Sequence, residues 1–436
     1  MSNPKIAFGI ASVGYAGYWV GSVSSATSKV NEVVTATITG GRLSSDPRVL
    51  PIVANGTERA MVNSYTYSSG VGTQGSALYG IYDPTASAWT TPVAKAQCNQ
   101  ASPVTGVQVW HASNPYSIVA VDGTMYLNDY DTAKIYEYDM TGDAFSEAQD
   151  PVYTFVPGGE YKAGGVALDL YSSGSNNYLV AAFTRYTNSG WTYTYGPSEL
   201  VMINLLDYSD TSLSVEANVN GVVVEGEYGY ATAFGGAQVA AGNVNTTLKV
   251  YTLTSGTPVF KATLNSAALP QSFVGDYLDV AFANSKAYVL VAKYNVTYSQ
   301  YDYMIIQTTA GNLQNGTFGS NVKYVTHTAS PASPTFALLP DGNDLYLVDG
   351  VKVCSINTAV DIDATGALTQ WCAASDFTFV SGTTTYTGYL FNTVGLVVEK
   401  TLATRSAKAA AKAHVTKMSK RLLTPEEIKH MQGKEK

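Results

Sequence analysis

The stretch that decides the fold is DGTMYLNDYDTAKIYEYDMTGDAF, Asp122 to Phe145. The runs MYLNDYD and AKIYEYD alternate apolar and polar residues with a period of two, which predicts two short β-strands joined by a turn. Six acidic residues in the stretch raise the question of a cation site. Asp in a turn commonly bonds its own backbone. We therefore interpret Asp129 and Asp131 as turn residues and the stretch as one structural unit.

The same unit recurs along the chain as three short strands separated by turns. Its middle strand is marked by Val62, Tyr126, Tyr178, Gln238, Tyr288, Tyr346 and Leu390. Successive markers lie 44 to 64 residues apart. A small sheet repeated at this spacing buries its faces only by stacking on its neighbours, so the repeat predicts a modular all-β body.

This repeat resembles the β-propeller superfamily over residues 5–400. The resemblance lies in the shape of the unit, because the Trp-Asp and Gly-His pattern of WD40 blades and the paired glycines of kelch blades are absent. It implies an all-β β-propeller, with seven markers predicting seven blades and six or eight remaining open. It also implies that N-terminal strands within 5–40 complete the last, C-terminal blade.

The charge of the chain divides it into two parts. Charged residues make up 13% of the chain and the formal net charge is −8. Residues 400–436 contain ten Lys or Arg and three Glu, so that tail has a net charge of +7 and the rest a net charge of −15. We predict a propeller body over 1–400 and a basic tail over 401–436. The low charge and abundant hydroxyl groups favour an extracytoplasmic location: secreted, on a cell surface or on a virion.

The Ala- and Lys-rich tail predicts a short C-terminal α-helix. Apolar side chains at helical spacing would form one face, and basic ones would lie largely off it. The residues predicted to dock the tail to a partner or a neighbouring subunit are Val415, Met418, Leu422, Arg405, Lys412 and Lys420. A solvated tail is the alternative.

Signatures of catalysis are absent from the sequence. Outside the tail the only histidines are His111 and His327, and no G-x-S-x-G elbow or phosphate-binding loop occurs. We therefore assign no catalytic residue and no cofactor. Loop carboxylates leave bound Ca²⁺ open, because Ca²⁺ prefers oxygen ligands, and the metal ligands stay unknown. Cys354 and Cys372 are either a disulfide or buried thiols.

Two long segments, 184–198 and 293–303, join equivalent strands of two units and are rich in aromatic residues. We predict that they emerge on one face as a binding surface of low charge. Its residues are Trp191, Tyr193, Tyr195, Tyr298, Tyr301 and Tyr303. Tyr and Trp offer large contact areas at low entropic cost, which suits sugars or protein partners. The alternative is that these rings pack within their own hairpins.

These observations lead to two hypotheses for function. The first is a non-enzymatic binding or assembly protein whose tail helix docks to a partner or to a neighbouring subunit. The second is a propeller glycoside hydrolase or lyase that acts on polysaccharide through loop carboxylates. A protein partner or self-assembly is expected, with carbohydrate as a further ligand class. Nucleic acid is disfavoured because the tail has no aromatic residue, and no run of 18 apolar residues predicts a spanning helix.

Overall fold

The structure is a computed structural model, in which most of the chain is described. The described residues are 6–12, 18–25, 28–34, 42–43, 48–54, 57–68, 74–83, 88–90, 115–121, 124–130, 132–139, 151–173, 176–189, 192–234, 246–295, 297–298, 300–329, 335–396, 414–416 and 420–421. The marker Gln238, and also Asp131 and His111, lie outside them.

Strands account for most of the described residues. The first twelve are β1 (Ile6–Ser12), β2 (Tyr18–Ser25), β3 (Ser28–Val34), β4 (Arg42–Leu43), β5 (Arg48–Ala54), β6 (Thr57–Ser68), β7 (Gln74–Asp83), β8 (Ala88–Thr90), β9 (Pro115–Val121), β10 (Thr124–Asp129), β11 (Lys134–Asp139) and β12 (Pro151–Thr154). The next twelve are β13 (Lys162–Ser173), β14 (Asn176–Ser189), β15 (Thr192–Asn204), β16 (Asp210–Ala217), β17 (Val219–Glu225), β18 (Tyr228–Ala233), β19 (Thr247–Thr252), β20 (Val259–Asn265), β21 (Asp276–Ala283), β22 (Lys286–Asn295), β23 (Gln300–Thr308) and β24 (Lys323–Ala329). The last eight are β25 (Thr335–Asp341), β26 (Asp344–Asp349), β27 (Lys352–Ile356), β28 (Leu368–Ala373), β29 (Thr378–Ser381), β30 (Thr384–Leu396), β31 (His414–Thr416) and β32 (Lys420–Arg421). One short α-helix, α1 (Ala310–Gln314), lies between β23 and β24, and the described residues also form three single-turn 3₁₀ helices, Ser266–Ala268, Pro270–Ser272 and Ala374–Asp376.

The described strands form seven sheets. They are built from antiparallel pairs such as β1–β2 and β10–β11. Sheet I has the order β29-β30-β1-β2-β3, sheet II is β4-β6-β7-β8 with β5 also on β6, and sheet III is β12-β11-β10-β9-β31. Sheets IV, V and VI are β13-β14-β15-β16, β17-β18-β19-β20 and β21-β22-β23-β24, and sheet VII is β28-β27-β26-β25-β32. The prediction of an all-β β-propeller with seven repeated units is confirmed. In sheet I, β1 pairs with β30 from the other end of the chain.

The chain divides into two compact units. One comprises residues 1–154, 350–353 and 370–420, and the other comprises 155–349, 354–369 and 421–436. The second unit contains sheets IV to VI together with β25 and β26 of sheet VII. The division into a 1–400 body and a 401–436 tail stays a prediction.

The stretch that opened the sequence analysis forms β10 and β11, which pair directly with each other. Asp129 ends β10 and is completely buried. Its Oδ2 accepts hydrogen bonds from the backbone N–H and the hydroxyl of Thr132, at 3.0 and 2.6 Å. The carboxylate therefore shapes the turn between the two strands, as the sequence predicts.

The predicted C-terminal helix is wrong for the part of the tail that the structure describes. Residues 414–416 form β31, and residues 420–421 form β32. β31 pairs with β9, with Val415 opposite Val119. Strand addition is favoured here because a sheet edge offers unpaired backbone groups, whereas a short isolated helix is barely stable in water even when it is rich in alanine.

A tyrosine occupies the third position of the second strand in five consecutive sheets. These residues are Tyr126, Tyr178, Tyr230, Tyr288 and Tyr346. All are buried except Tyr178, which is half-buried. The marker of sheet V is therefore Tyr230 and not Gln238, which lies after the end of β18.

In the second unit, Tyr178, Tyr230 and Tyr288 each lie near the same part of the next sheet, the connection between its third and fourth strands. The Tyr178 hydroxyl lies 3.2 Å from where a Cβ on Gly256 would sit, in the β19–β20 turn. The Tyr230 hydroxyl accepts a hydrogen bond from Gln314 Nε2 at 3.2 Å, at the end of α1. The Asp361 carboxylate, between β27 and β28, helps to raise the pKa of Tyr288. The tyrosine of the second strand therefore makes the same kind of contact with the next sheet in three successive sheets.

Polar side chains also join neighbouring sheets. Asp169 of β13 accepts a hydrogen bond from the Val224 backbone N–H at 2.7 Å, and Asp279 of β21 accepts one from the Leu338 N–H at 2.8 Å. Both bonds join the first strand of one sheet to the first strand of the next. They satisfy backbone donors that would otherwise lie unpaired between two sheets.

Removing single hydroxyl groups tests the tyrosine contact. Tyr288 Oη is buried without a hydrogen-bond partner, whereas Tyr230 Oη accepts from Gln314. We expect Tyr230→Phe to lower the free energy of unfolding by about 0.5–1.5 kcal/mol, and Tyr288→Phe to leave it unchanged or slightly higher. Urea denaturation of both variants measures the difference. Equal losses of stability in both variants would contradict a stabilising hydrogen bond between Tyr230 and Gln314.

The buried tyrosines predict alkaline unfolding. Burial, assisted by Asp361, raises the pKa of Tyr288 from 10.0 to about 12, and burial raises the pKa of Tyr251, Tyr277 and Tyr303 further. Because the folded state keeps these phenols neutral, their contribution to stability is complete below pH ~10 and is lost as the pH rises through the folded-state pKa. We expect the urea midpoint to fall between pH ~10 and ~12, and to fall less steeply in Tyr288→Phe.

Candidate functional site

The β14–β15 hairpin extends beyond the two strands that flank it. β13 stops pairing with β14 at Tyr186, and β16 stops pairing with β15 at Pro197. The hairpin itself continues to the pair Ser189–Thr192. Its outer part is therefore a two-stranded ribbon that stands clear of sheet IV on both sides.

Three tyrosines share one face of this ribbon. Tyr186 lies directly opposite Tyr195, and Tyr193 lies two residues before Tyr195 on the same strand. The Tyr186 ring centroid is 5.5 Å from that of Tyr193 and 6.4 Å from that of Tyr195. All three are half-buried. We call Tyr186, Tyr193 and Tyr195 the tyrosine face.

The opposite side of the ribbon is covered by Tyr161. Its ring carbons lie so near Gly196 that a Cβ at that position would be 2.6 Å from the ring. Gly196 is therefore required for close approach of the ring to the backbone. The ribbon has one face packed by Tyr161 and one face that presents tyrosines.

Arg185 fixes the base of the ribbon. Its guanidinium donates to the Pro157 and Pro197 carbonyls at 3.0 and 2.9 Å and to the Glu199 carboxylate at 3.0 Å. It also stacks over the Phe155 ring, 4.9 Å from the centroid. The planar fork of Arg thus joins both strands of the hairpin to the segment before β13.

The structure places the predicted surface residues in different environments. Tyr193 and Tyr195 belong to the tyrosine face, Trp191 lies outside the described residues, and Tyr298 is 69% exposed. Tyr298 lies between β22 and β23, in a connection equivalent to the turn of the β14–β15 hairpin. Whether these residues act together in binding stays a prediction.

Tyr301 and Tyr303 do not belong to an exposed surface, and this corrects the prediction. They are 3% and 1% exposed. The segment 293–303 was predicted to be a loop, but β23 begins at Gln300, so alternate residues face sheet VII. There both rings contact Phe336, and the Tyr303 hydroxyl donates to Asp349 Oδ2 at 3.0 Å.

Of the predicted tail residues, Val415 lies in β31 and Lys420 in β32. The other four lie outside the described residues: Arg405, Lys412, Met418 and Leu422. Sequence reasoning missed Tyr186 and Arg185, which complete the site. The signal for Tyr186 was strand periodicity, which places it on the same face as Tyr193 and Tyr195 when Ser189 pairs with Thr192.

The described residues include no group of three or more His, Cys, Asp or Glu side chains that would hold a metal ion. His327 is the one histidine with a described side chain, and it packs beside Tyr303 in β24, with ring centroids 5.5 Å apart. Cys354 and Cys372 are both buried thiols. Within the described part of the chain, no helix is long and apolar enough to cross a membrane.

Comparison with known proteins finds likeness in structure alone. No protein-family model matches, and no curated protein matches. A mutant of Synechocystis apocarotenoid oxygenase is similar at 10% identity and a TM-score of 0.39, covering 73% of this chain and 69% of that one. A cobalt-substituted form of the same oxygenase has 10% identity, a TM-score of 0.36 and the same coverage.

A chain from the S. cerevisiae complex of dbp5 bound to nup159, gle1, ip6 and adp is also similar, at 11% identity and a TM-score of 0.38. It covers 91% of this chain, and the match extends over 93% of that one. These likenesses transfer no activity, ligand or partner to this protein.

Two predictions are corrected by these comparisons. The protein was predicted to be non-enzymatic, whereas the structurally similar chains include an oxygenase. It was also predicted to have no cofactor, or Ca²⁺ alone, whereas one similar chain carries cobalt. The described residues contain no group of three or more His, Cys, Asp or Glu side chains to hold such a metal.

The ribbon base provides a stability test. Arg185→Ala leaves Glu199 without its ion pair in a site where the two side chains are 17% and 13% exposed. We expect a loss of roughly 1.5–3 kcal/mol in the free energy of unfolding, and faster amide exchange in the ribbon. Arg185→Lys should recover little of it, because an ammonium cannot reproduce the fork.

Lys323→Ala is the matched control, because its ion pairs with Asp361 and Asp363 are exposed. Such pairs contribute about 0–1 kcal/mol. A control loss as large as that of Arg185→Ala, or ribbon exchange that stays unchanged in Arg185→Ala, would contradict the role of Arg185.

Proposed function

We propose that the tyrosine face of the β14–β15 ribbon recognises carbohydrate. The observation that carries the proposal is the arrangement of Tyr186, Tyr193 and Tyr195 on one side of a two-stranded extension, partly exposed and with centroids 5.5 and 6.4 Å apart. Tyrosine rings offer an apolar surface to the C–H groups of a sugar, and their hydroxyl groups bond to its polar rim.

The surroundings of the face support a neutral ligand. Between Phe183 and Glu199 the chain contains Thr, Tyr, Asn, Ser, Gly, Trp and Pro, with Arg185 as the one charged residue and no aliphatic side chain. The guanidinium of Arg185 is engaged at the base of the ribbon. A surface of rings, hydroxyls and amides suits a sugar better than an aliphatic or strongly charged partner.

The rest of the chain supports the same ligand class. Excluding residues 400–436, the protein has a net charge of −15, which would repel an acidic polysaccharide. We therefore propose a neutral glycan, met outside the cytoplasm. That location agrees with the charged content of 13%, about half of the roughly 25% usual in soluble domains. A protein partner is the rival ligand, and a glycan array on which nothing binds would favour it.

A glycan array with neutral and anionic members, followed by titration calorimetry on the best ligand, tests the proposal. We expect Tyr193→Ala and Tyr195→Ala each to weaken binding roughly three- to tenfold, since a stacked ring contributes about 0.5–1.5 kcal/mol. Tyr195→Phe should retain most of the affinity, because stacking survives the loss of the hydroxyl.

Tyr389→Ala is the matched control, because that tyrosine is 43% exposed and lies in β30 of sheet I. Unchanged urea midpoints show that the variants are folded. No glycan bound, binding of anionic glycans alone, or an equal loss in the control would overturn the proposal.

A further inference from the structure

Among the described residues, the tail strand β31 is the only strand on one edge of β9. β9 is bonded on its other side to β10, and β31 pairs with residues Ile118 to Ala120. Ile118 and Val119 are completely buried. The pairing is antiparallel, with Val415 opposite Val119. The edge of β9 therefore receives an extended segment that is separated from the end of β30 by 17 residues.

The same mode of pairing occurs a second time. β32 is the fifth strand of sheet VII, where it lies beside β25, the first strand of that sheet. Among the described residues, sheets IV, V and VI have four strands and carry no strand beyond their first. The two tail strands, β31 and β32, thus each add to the first strand of a sheet.

The pairing of β31 is short, which sets its strength. Three paired residues allow two to four backbone hydrogen bonds, each worth about 0.5–1.5 kcal/mol net. Ordering each residue costs about 1–2 kcal/mol. These contributions nearly cancel, so the segment is held weakly. The opposite charges of tail and body, +7 and −15, add an attraction that salt screens.

We propose that the β9 edge is a strand-acceptor site, that its occupant is His414–Thr416 of the same chain, and that this occupant is releasable. β31 then acts as a strap that leaves and rebinds while β9 stays paired with β10. The vacated edge accepts an extended basic peptide by β-addition, through its backbone groups. This role is independent of carbohydrate recognition at the ribbon.

A disulfide across the pair tests the occupant. Directly opposite residues in antiparallel strands have Cα atoms about 4.5–5.5 Å apart, within reach of a disulfide. We expect oxidised Val119→Cys/Val415→Cys to form an intrachain bridge in a monomer, identified by peptide mapping. Val121→Cys/Val415→Cys, displaced by two residues, should form none, and the single variants control for the native cysteines.

If that pair impairs folding, Ala120→Cys/His414→Cys is the second pair to use, since these residues are also directly opposite. Absence of the bridge in a folded variant would overturn the placement of the strap. A bridge between two chains would overturn the assignment of the occupant to the same chain.

A labelled peptide tests release. The probe is AKAHVTKMSKR, the sequence of residues 411–421, added to the full-length Val119→Cys/Val415→Cys protein and followed by fluorescence anisotropy. We expect saturable binding to the reduced protein and none to the oxidised protein, in which the strap is locked. Binding should weaken several-fold when NaCl rises from about 50 to about 300 mM.

The matched probe has N-methyl groups at the residues equivalent to Val415 and Thr416, which removes their backbone donors and keeps the charge. It should bind at least tenfold more weakly. Binding to the locked protein, equal binding of the methylated peptide, or no binding to the reduced protein would each overturn the proposal.

Discussion

The tyrosine at the third position of the second strand is the contact on which the stacking of the sheets depends. A sheet face packs against its neighbour at a spacing of about 10 Å, which a large flat side chain can fill. The tyrosine ring fills that space, and its hydroxyl reaches the connection between the third and fourth strands of the next sheet. In Tyr230 the contact is a hydrogen bond to Gln314, and in Tyr178 it is close packing on Gly256. Because the same contact recurs, it sets the same relation between successive sheets of the second unit.

This constraint leaves the connections between second and third strands free to vary. The β14–β15 hairpin lengthens into a ribbon without disturbing sheet IV, because β13 and β16 simply end where the ribbon begins. Arg185 sits at that boundary and joins the ribbon to the preceding segment. A rigid base beneath an aromatic face is what a binding surface needs, since rings already held in place lose little entropy when a ligand stacks on them.

The sequence was sufficient for the repeat and for four of the five tyrosines, because strand period and aromatic spacing are local properties. The marker in sheet V was misplaced, at Gln238, because YATAFGGAQVAA reads as two strands when the preceding strand β17 is overlooked. Tyr301 and Tyr303 were misjudged for a related reason. The strand β23 begins at Gln300, inside the segment read as a loop, and a one-residue change in register decides which face of a strand an aromatic occupies. Arg185 was missed because its partners, Pro157 and Glu199, are brought to it by the fold.

The tail shows that helix propensity alone does not predict the structure of a short segment. Alanine and lysine favour helix in isolation, but a short helix in water is barely stable. A strand edge nearby presents backbone donors and acceptors, and Val415 and Thr416 are residues that favour strands, so this part of the basic tail is held there as a strand. In the proposed strap, opposite charges attract the tail, and the small number of hydrogen bonds keeps it weakly held. The two proposed recognition surfaces would therefore follow opposite physical rules: rings and hydroxyls with little charge on the ribbon, and backbone pairing assisted by charge on β9.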